Sequence, residues 1–87
     1  MIFDYFGNLE DWACENGYDP YELYGEKVLI EKRSSLVEFH LHQDKTDTYA
    51  KFQGYKDYDN GWWDIKLVQE GLNRKEKPVI VTEIIYV

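Results

Sequence analysis

Glu38, His40 and His42 are the residues of this chain whose types and spacing could support metal chemistry. They occupy alternate positions, and alternate residues of a strand project to the same side, so one carboxylate and two imidazoles could face a single ion. Such a set suits zinc-like ions and leaves an open position for a reacting water. A metal-binding protein or metal-dependent enzyme is therefore one hypothesis. The other interpretation is the solvated face of a half-buried strand, which we favour, so we expect no cofactor.

Nucleophilic catalysis has little support in the sequence. Cys14 is the single cysteine, so it has no disulfide partner in the chain, and its neighbours Glu10, Asp11 and Glu15 discourage formation of a thiolate. The only serines are adjacent in a predicted turn, and no glycine-rich phosphate loop is present. We therefore expect that the protein is not an enzyme.

The negative charge of the protein is concentrated in its first 26 residues. This segment contains seven carboxylates and no Lys or Arg, whereas residues 27–87 contain ten acids and ten bases, so the first segment accounts for the whole net charge of −7. An acidic surface repels nucleic acid and anionic lipid. We therefore expect a basic protein as the partner, and neither direct nucleic-acid binding nor membrane binding.

An amphipathic helix is predicted within the acidic segment. Apolar residues between Ile2 and Ala13 recur at spacings of three and four, which is typical of one buried helix face. Asn8 is a favourable N-cap, so the helix is predicted to begin at Leu9, and Gly17 is a favourable C-cap. The acids of this helix then lie on the face away from the apolar stripe.

Residues 19–25 are predicted to form a second, short helical turn. Asp19 would cap it, the following proline would occupy the first helical position, and Gly25 would end it. Residues 1–26 together are then an acidic helical cap.

The remainder, residues 27–87, has the alternation of apolar and polar residues and the β-branched residues that are typical of strands. The strand candidates are residues 27–32, 36–42, 48–56, 62–69 and 78–87, the last of them apolar on both faces and therefore expected inside the sheet. Gly54 is predicted as a bulge, and Asn60-Gly61 as a type I′ hairpin turn. Trp63, Ile65 and Leu67 are predicted to share one face. Residues 70–77 are predicted to be a charged loop.

The sequence therefore predicts a single α+β domain, residues 1–87. An N-terminal helix plus a short helical turn would pack on a mostly antiparallel, four- to five-stranded meander sheet. The N-terminus has no basic region followed by an apolar run, and no apolar stretch approaches the length needed to span a bilayer. We therefore expect a soluble, cytoplasmic protein.

The acidic, aromatic first segment predicts a protein-binding function. Its acids would supply a negative field, and its tyrosines and tryptophan are of the types enriched at protein interfaces. The predicted partner-binding residues are Glu10, Asp11, Trp12, Glu15, Tyr18, Asp19, Tyr21 and Glu22. An ordinary solvated face is the alternative interpretation of the same residues.

In size and charge the chain resembles the small acidic proteins that phages direct against host nucleic-acid machinery, such as anti-CRISPR proteins that mimic DNA. It is similar in the same respects to immunity proteins that neutralise nuclease toxins. The resemblance is one of composition. It implies an inhibitor whose carboxylates imitate a row of phosphates and occlude the basic surface of a nucleic-acid-binding protein or nuclease. A third hypothesis is a structural subunit that self-associates through the hairpin aromatics Tyr55, Tyr58, Trp62 and Trp63.

Overall fold

The computed structural model describes residues 1–77 and 83–87 and shows a mostly antiparallel sheet with one helix. In chain order the elements are β1 (Ile2–Tyr5), α1 (Phe6–Asn16), β2 (Tyr18–Ile30), β3 (Ser35–Gln43), β4 (Thr48–Asp57), β5 (Gly61–Leu72), β6 (Arg74–Lys77) and β7 (Glu83–Tyr86). The first five strands form one sheet in the order β1-β5-β4-β3-β2, and β6 pairs with β7 in a separate two-stranded sheet. Every strand pair within residues 1–77 and 83–87 is antiparallel. The α+β expectation is confirmed at this level.

Helix α1 begins earlier than the sequence predicts. Asn8 is the third helical residue, and its side-chain oxygen accepts a hydrogen bond from the Tyr5 backbone N–H at 3.2 Å. Gly17 ends the helix in the left-handed region, as predicted. Residues 2–5 are not helical, because they pair with β5 and their one buried side chain, Phe3, lies opposite Ile65. No helix within the described residues is long and apolar enough to cross a membrane.

The predicted second helical turn is wrong, since residues 19–25 belong to β2. Asp19 still forms a local turn-type contact within the strand, since its carboxylate accepts a hydrogen bond from the Tyr21 backbone N–H at 2.9 Å. The result is an irregular strand: between Asp19 and Tyr24, β2 advances five residues while β3 advances two. Residues 1–26 therefore contain a strand, a helix and nine of the 13 residues of β2, and do not form a purely helical cap.

The central meander follows the sequence prediction closely. Residues 36–42 and 48–56 lie within β3 and β4. The hairpin between β4 and β5 is present, but the type I′ prediction is wrong: Asp57 pairs with Gly61 across a three-residue loop, and Gly61 has positive φ whereas Asn60 does not. The Asp57 carboxylate stabilises the loop by accepting backbone N–H groups of Asp59 and Asn60 at 3.0 and 2.6 Å.

The bulge predicted at Gly54 lies on the opposite strand. Gln53 pairs with Lys66 and Tyr55 pairs with Trp63, so two steps along β4 correspond to three along β5 and the extra residue is in β5. Asp64, which lies within this interval, has a φ of 47°. This shift breaks the predicted alternation in β5. Trp62, and not Trp63, packs with Ile65 against the core.

The C-terminal region departs most from the prediction. The predicted charged loop, residues 70–77, is instead the end of β5 and the strand β6. Residues 78–82 of the predicted last strand lie outside the described residues. The described part, β7, pairs with β6 and has no neighbour in the five-stranded sheet within the ranges described, so it is not an interior strand there.

The apolar core lies between α1 and one face of the five-stranded sheet. Phe39 and Phe52 are fully buried from neighbouring strands, with ring centroids 5.5 Å apart. Leu9 and Ala13 bring the inner face of α1 onto them. Burial of a large apolar side chain contributes about 1.5 to 3 kcal/mol, so this cluster is the main stabilising feature that holds α1 in place.

Candidate functional site

The three predicted metal ligands share the sheet face opposite α1, but each is engaged by different neighbours. His42 contacts two carboxylates of the following loop, Asp47 at 2.7 Å and Asp44 at 3.3 Å. Glu38 accepts a hydrogen bond from the Gln53 side-chain amide at 3.1 Å. Within the described ranges no three His, Cys, Asp or Glu side chains are arranged to hold a metal ion. The geometry therefore does not support the metal-site hypothesis.

His40 is a packing residue, only 3% exposed. Its Nδ1 lies 3.1 Å from the Tyr24 carbonyl oxygen, so Nδ1 carries the proton and donates it. Its ring stacks on Tyr86 of β7 at 3.9 Å between centroids. Nε2 is buried and has no partner among the described residues, and burial lowers the pKa of the imidazole. His40 thus joins β7 to the five-stranded sheet as a neutral ring.

The acidic residues of α1 project to solvent, as predicted. Asp11 and Glu15 are exposed and Glu10 is partly exposed, whereas Leu9 and Ala13 are buried on the inner face. Because α1 begins at Phe6, no acid lies in its first turn, where the helix dipole would favour one, and no base lies in its last turn. The charge pattern of this helix is therefore not optimised for helix stability.

The start of β2 extends the same negative surface. The exposed Tyr21 side chain lies beside α1. The nearby Cys14 sulfur, and after it the Glu10 carboxylate, raise the pKa of the Tyr21 phenol. Asp19 and Glu22 follow on the same segment of β2. We call Glu10, Asp11, Glu15, Asp19 and Glu22 the acidic surface.

No member of the acidic surface forms an ion pair within the part of the chain that is described, where the ion pairs involve other residues. The remaining two acids of the first 26 residues lie apart from it. Glu26 is 3.4 Å from the Lys56 amine, and Asp4 lines a shallow groove with Asp57 and Asp64. The five carboxylates of the acidic surface thus form no ion pair among the described residues.

The structure separates the three aromatic residues that the sequence assigns to partner binding. Tyr21 is 80% exposed and lies among the acids. Trp12 instead packs on Phe3, with centroids 5.4 Å apart, and stacks on Tyr18 at 5.3 Å. The buried Tyr18 donates a hydrogen bond to the Glu70 carboxylate at 2.6 Å. Trp12 and Tyr18 therefore fix α1 to the sheet. If residues 18–21 had been predicted as a strand, the alternation of side chains would have placed Tyr18 and Tyr21 on opposite faces.

The hairpin aromatics are also divided between core and surface. Trp62 packs against Phe39 at 4.9 Å between centroids, and the Lys56 amine lies 5.0 Å from the centroid of the Trp62 ring. Tyr55 stacks on Trp63 on the outer face, and Tyr58 is fully exposed at the turn. The surface available for the self-association hypothesis is correspondingly smaller than the sequence indicates.

Comparison with known proteins finds no family model, no curated protein and no solved structure that matches this chain.

Proposed function

We propose that the protein is a small acidic inhibitor that binds a basic, nucleic-acid-binding surface on another protein and thereby excludes nucleic acid from it. The observation that carries the proposal is the acidic surface: five carboxylates on α1 and the start of β2, none ion-paired within the described residues, with the exposed Tyr21 beside them. Carboxylates in this arrangement would act as substitutes for phosphates. A phage anti-CRISPR protein or a nuclease immunity protein is the kind of inhibitor that the composition resembles.

The unfavourable electrostatics of α1 support this proposal. Asp11 and Glu15 are separated by four residues, about 6 Å along the helix axis, so their like charges repel on one face. Glu15 also lies in the last turn, next to the negative end of the helix dipole. A binding surface for a basic partner gives a physical reason for these local costs, because the partner would neutralise both charges.

Tyr21 supports the proposal in a different way. Tyrosine offers a large, rigid contact area at low entropic cost, and here it is exposed beside acids that would steer a basic partner toward it. The partly buried Trp12 and the buried Tyr18 would hold the acidic residues of α1 in a fixed arrangement. A preorganised surface loses less conformational entropy when it binds.

Capture with matched baits tests the proposal. The wild-type protein, an acidic-surface variant (E10Q/D11N/E15Q) and a control variant (D59N/E76Q/E83Q) are immobilised and exposed to lysate of the source organism. Each variant lacks three of the carboxylates that give the chain its charge of −7, so both carry −4. The expected partner binds the wild type and the control, is lost from the acidic-surface variant, and is basic.

Competition with nucleic acid completes the test. The purified partner is loaded with a labelled oligonucleotide, and each of the three proteins is titrated in. Displacement by the wild type and the control, with at least a tenfold weaker effect of the acidic-surface variant, supports the proposal. Binding of the wild type without displacement of the oligonucleotide, or equal displacement by both variants, contradicts it.

A further inference from the structure

The outer edge of β2 exposes a short apolar segment. β2 is the last strand of the five-stranded sheet, and among the described residues its only strand neighbour is β3. Val28, Leu29 and Ile30 are consecutive on this edge and are 52, 39 and 49% exposed. A register shift in the pairing with β3 leaves Leu29 without a partner residue on that strand. An exposed strand edge can pair with another extended chain, and charged side chains and bulges are the features that limit such pairing.

The charges that flank this segment are self-complementary. Residues 26–32 read Glu-Lys-Val-Leu-Ile-Glu-Lys, so each acid has a base at the same distance on the other side of Leu29. β2 ends at Ile30, and Glu31 follows it directly. If residues 27–31 of two copies run antiparallel about Leu29, Lys27 of each lies opposite Glu31 of the other. Val28 then lies opposite Ile30. Opposite-charge and apolar cross-strand pairs both stabilise antiparallel pairing.

We infer that the β2 edge is a self-recognition surface, at which two copies of the chain pair antiparallel about Leu29 and form a symmetric dimer. Such a contact is isologous, because the same residues contribute from both copies. It goes beyond the proposed inhibitory function, since it uses neither the acidic surface nor Tyr21. The edge contact is short, so the dimer is of the transient class and forms at micromolar or higher concentrations.

The same charges select the direction and register of pairing. In a parallel, in-register arrangement Lys27 would lie opposite Lys27 and Glu31 opposite Glu31, and like charges directly opposite each other are destabilising. A shift of one residue in the antiparallel arrangement would also separate Lys27 from Glu31. Glu26 already contacts Lys56 of its own chain, so the two symmetric pairs of Lys27 with Glu31 carry the specificity.

Sedimentation equilibrium from about 10 µM to 1 mM measures the association. The wild type is expected to show a reversible monomer–dimer equilibrium. K27E places acids opposite acids at both ends of the pairing, and E31K places bases opposite bases. Each single variant is expected to weaken dimerisation by at least about tenfold. The double variant K27E/E31K restores complementary pairs and is expected to dimerise as the wild type does.

Two further samples separate edge pairing from general charge effects. K45E changes the net charge of the chain by the same amount as K27E but lies in the β3–β4 loop, and it is expected to leave the association unchanged. An equimolar mixture of K27E and E31K is expected to form a heterodimer, because the first copy carries two acids and the second two bases at the paired positions. Circular dichroism confirms that each variant is folded.

A wild-type protein that remains monomeric at 1 mM overturns the inference. Dimerisation by K27E and E31K equal to that of the wild type overturns it as well, as does failure of the double variant or of the mixture to recover association. Loss of partner capture through E10Q/D11N/E15Q has no bearing on these measurements, so the edge pairing and the inhibitory function are tested separately.

Discussion

The two faces of the five-stranded sheet are covered by different means. On one face α1 buries an apolar cluster that includes Phe39 and Leu9, both fully buried. On the other face β7 places Tyr86 against His40, a polar ring with one nitrogen that has no partner among the described residues. The helix-covered face therefore supplies mainly apolar packing, and the face covered by β7 carries His40 and its sterically tight contacts.

The largest expected effect is on the helix-covered face. Phe39→Ala would leave a cavity between α1 and the sheet, and the free energy of unfolding is expected to fall by about 3 to 5 kcal/mol. Tyr86→Ala, on the opposite face, removes a partly buried ring and is expected to cost less. Urea denaturation measures both variants. A greater loss for Tyr86→Ala would reverse the comparison between the two faces.

A smaller effect is expected where β2 passes below β7. Gly25 has a φ of 58°, and a Cβ placed there would lie 2.7 Å from Tyr86 Cε2 and 3.1 Å from His40 Nδ1. Gly25→Ala is therefore expected to destabilise the protein by about 1 to 3 kcal/mol, because the backbone is strained and the His40–Tyr86 stack must move.

Gly7→Ala is the matched control for Gly25→Ala. Gly7 is in α1, and apart from its chain neighbours and the nearby helix backbone no heavy atom of the described residues lies within 4 Å of a Cβ placed there. This variant is therefore expected to stabilise the protein by about 0.5 to 1 kcal/mol. Thermal denaturation of the two variants should show opposite signs. The same sign in both would show that contact with Tyr86 does not limit residue 25.

The pH dependence of stability should come from the face covered by β7. Burial lowers the pKa of His40 below its ordinary value of 6.5, so between the two values the unfolded chain binds a proton that the folded chain does not. Stability is therefore fully present above pH 6.5 and decreases as the pH falls. The charged groups that act on His40 are Glu38, which favours protonation, and Lys51, which opposes it.

His40→Leu is expected to remove this decrease between pH 7 and 5.5. The measurement is urea denaturation at each pH, with Phe39→Leu as a core substitution that should keep the wild-type slope. If His40→Leu retains the slope as well, another group is responsible for the pH dependence.

The smallest expected effect is on the outer surface of α1. Glu15→Gln removes a negative charge from the last turn and the repulsion with Asp11, so stability is expected to rise by about 0.3 to 0.5 kcal/mol. Asp59→Asn, at the β4–β5 turn, is the comparison for a general change of net charge. A loss of stability in Glu15→Gln would show that the acidic surface contributes to folding.

The sequence predicts the elements whose signals are local. Alternation locates β3 and β4, and Gly17 ends α1 as predicted. The predictions fail where pairing with a strand far along the chain determines the local structure. β1 is a four-residue strand that exists because β5, some sixty residues later, pairs with it. The turn residues of Asp19-Pro20 produce an irregular strand because β3 is available beside them.

The acidic surface is partly predictable for the same reason. The positions of Glu10, Asp11 and Glu15 follow from helical periodicity. The positions of Asp19 and of the neighbouring Tyr21 depend instead on β2 passing beside α1. The buried Tyr18 donates a hydrogen bond to Glu70, which is 52 residues away in the chain, so its partner is not evident from the local sequence. His40 and His42 have different surroundings for a similar reason, since β7 covers His40 while His42 contacts carboxylates of its own loop.

The salt dependence of partner affinity is the most direct test of the central claim that the acidic surface binds a basic protein. The dissociation constant of the purified partner is measured from 50 to 500 mM salt for the wild type, for E10Q/D11N/E15Q and for D59N/E76Q/E83Q. We predict steep weakening with salt for the wild type and the control, and a shallower slope with weaker low-salt binding for the acidic-surface variant. Equal slopes and equal affinities in all three proteins would contradict the account.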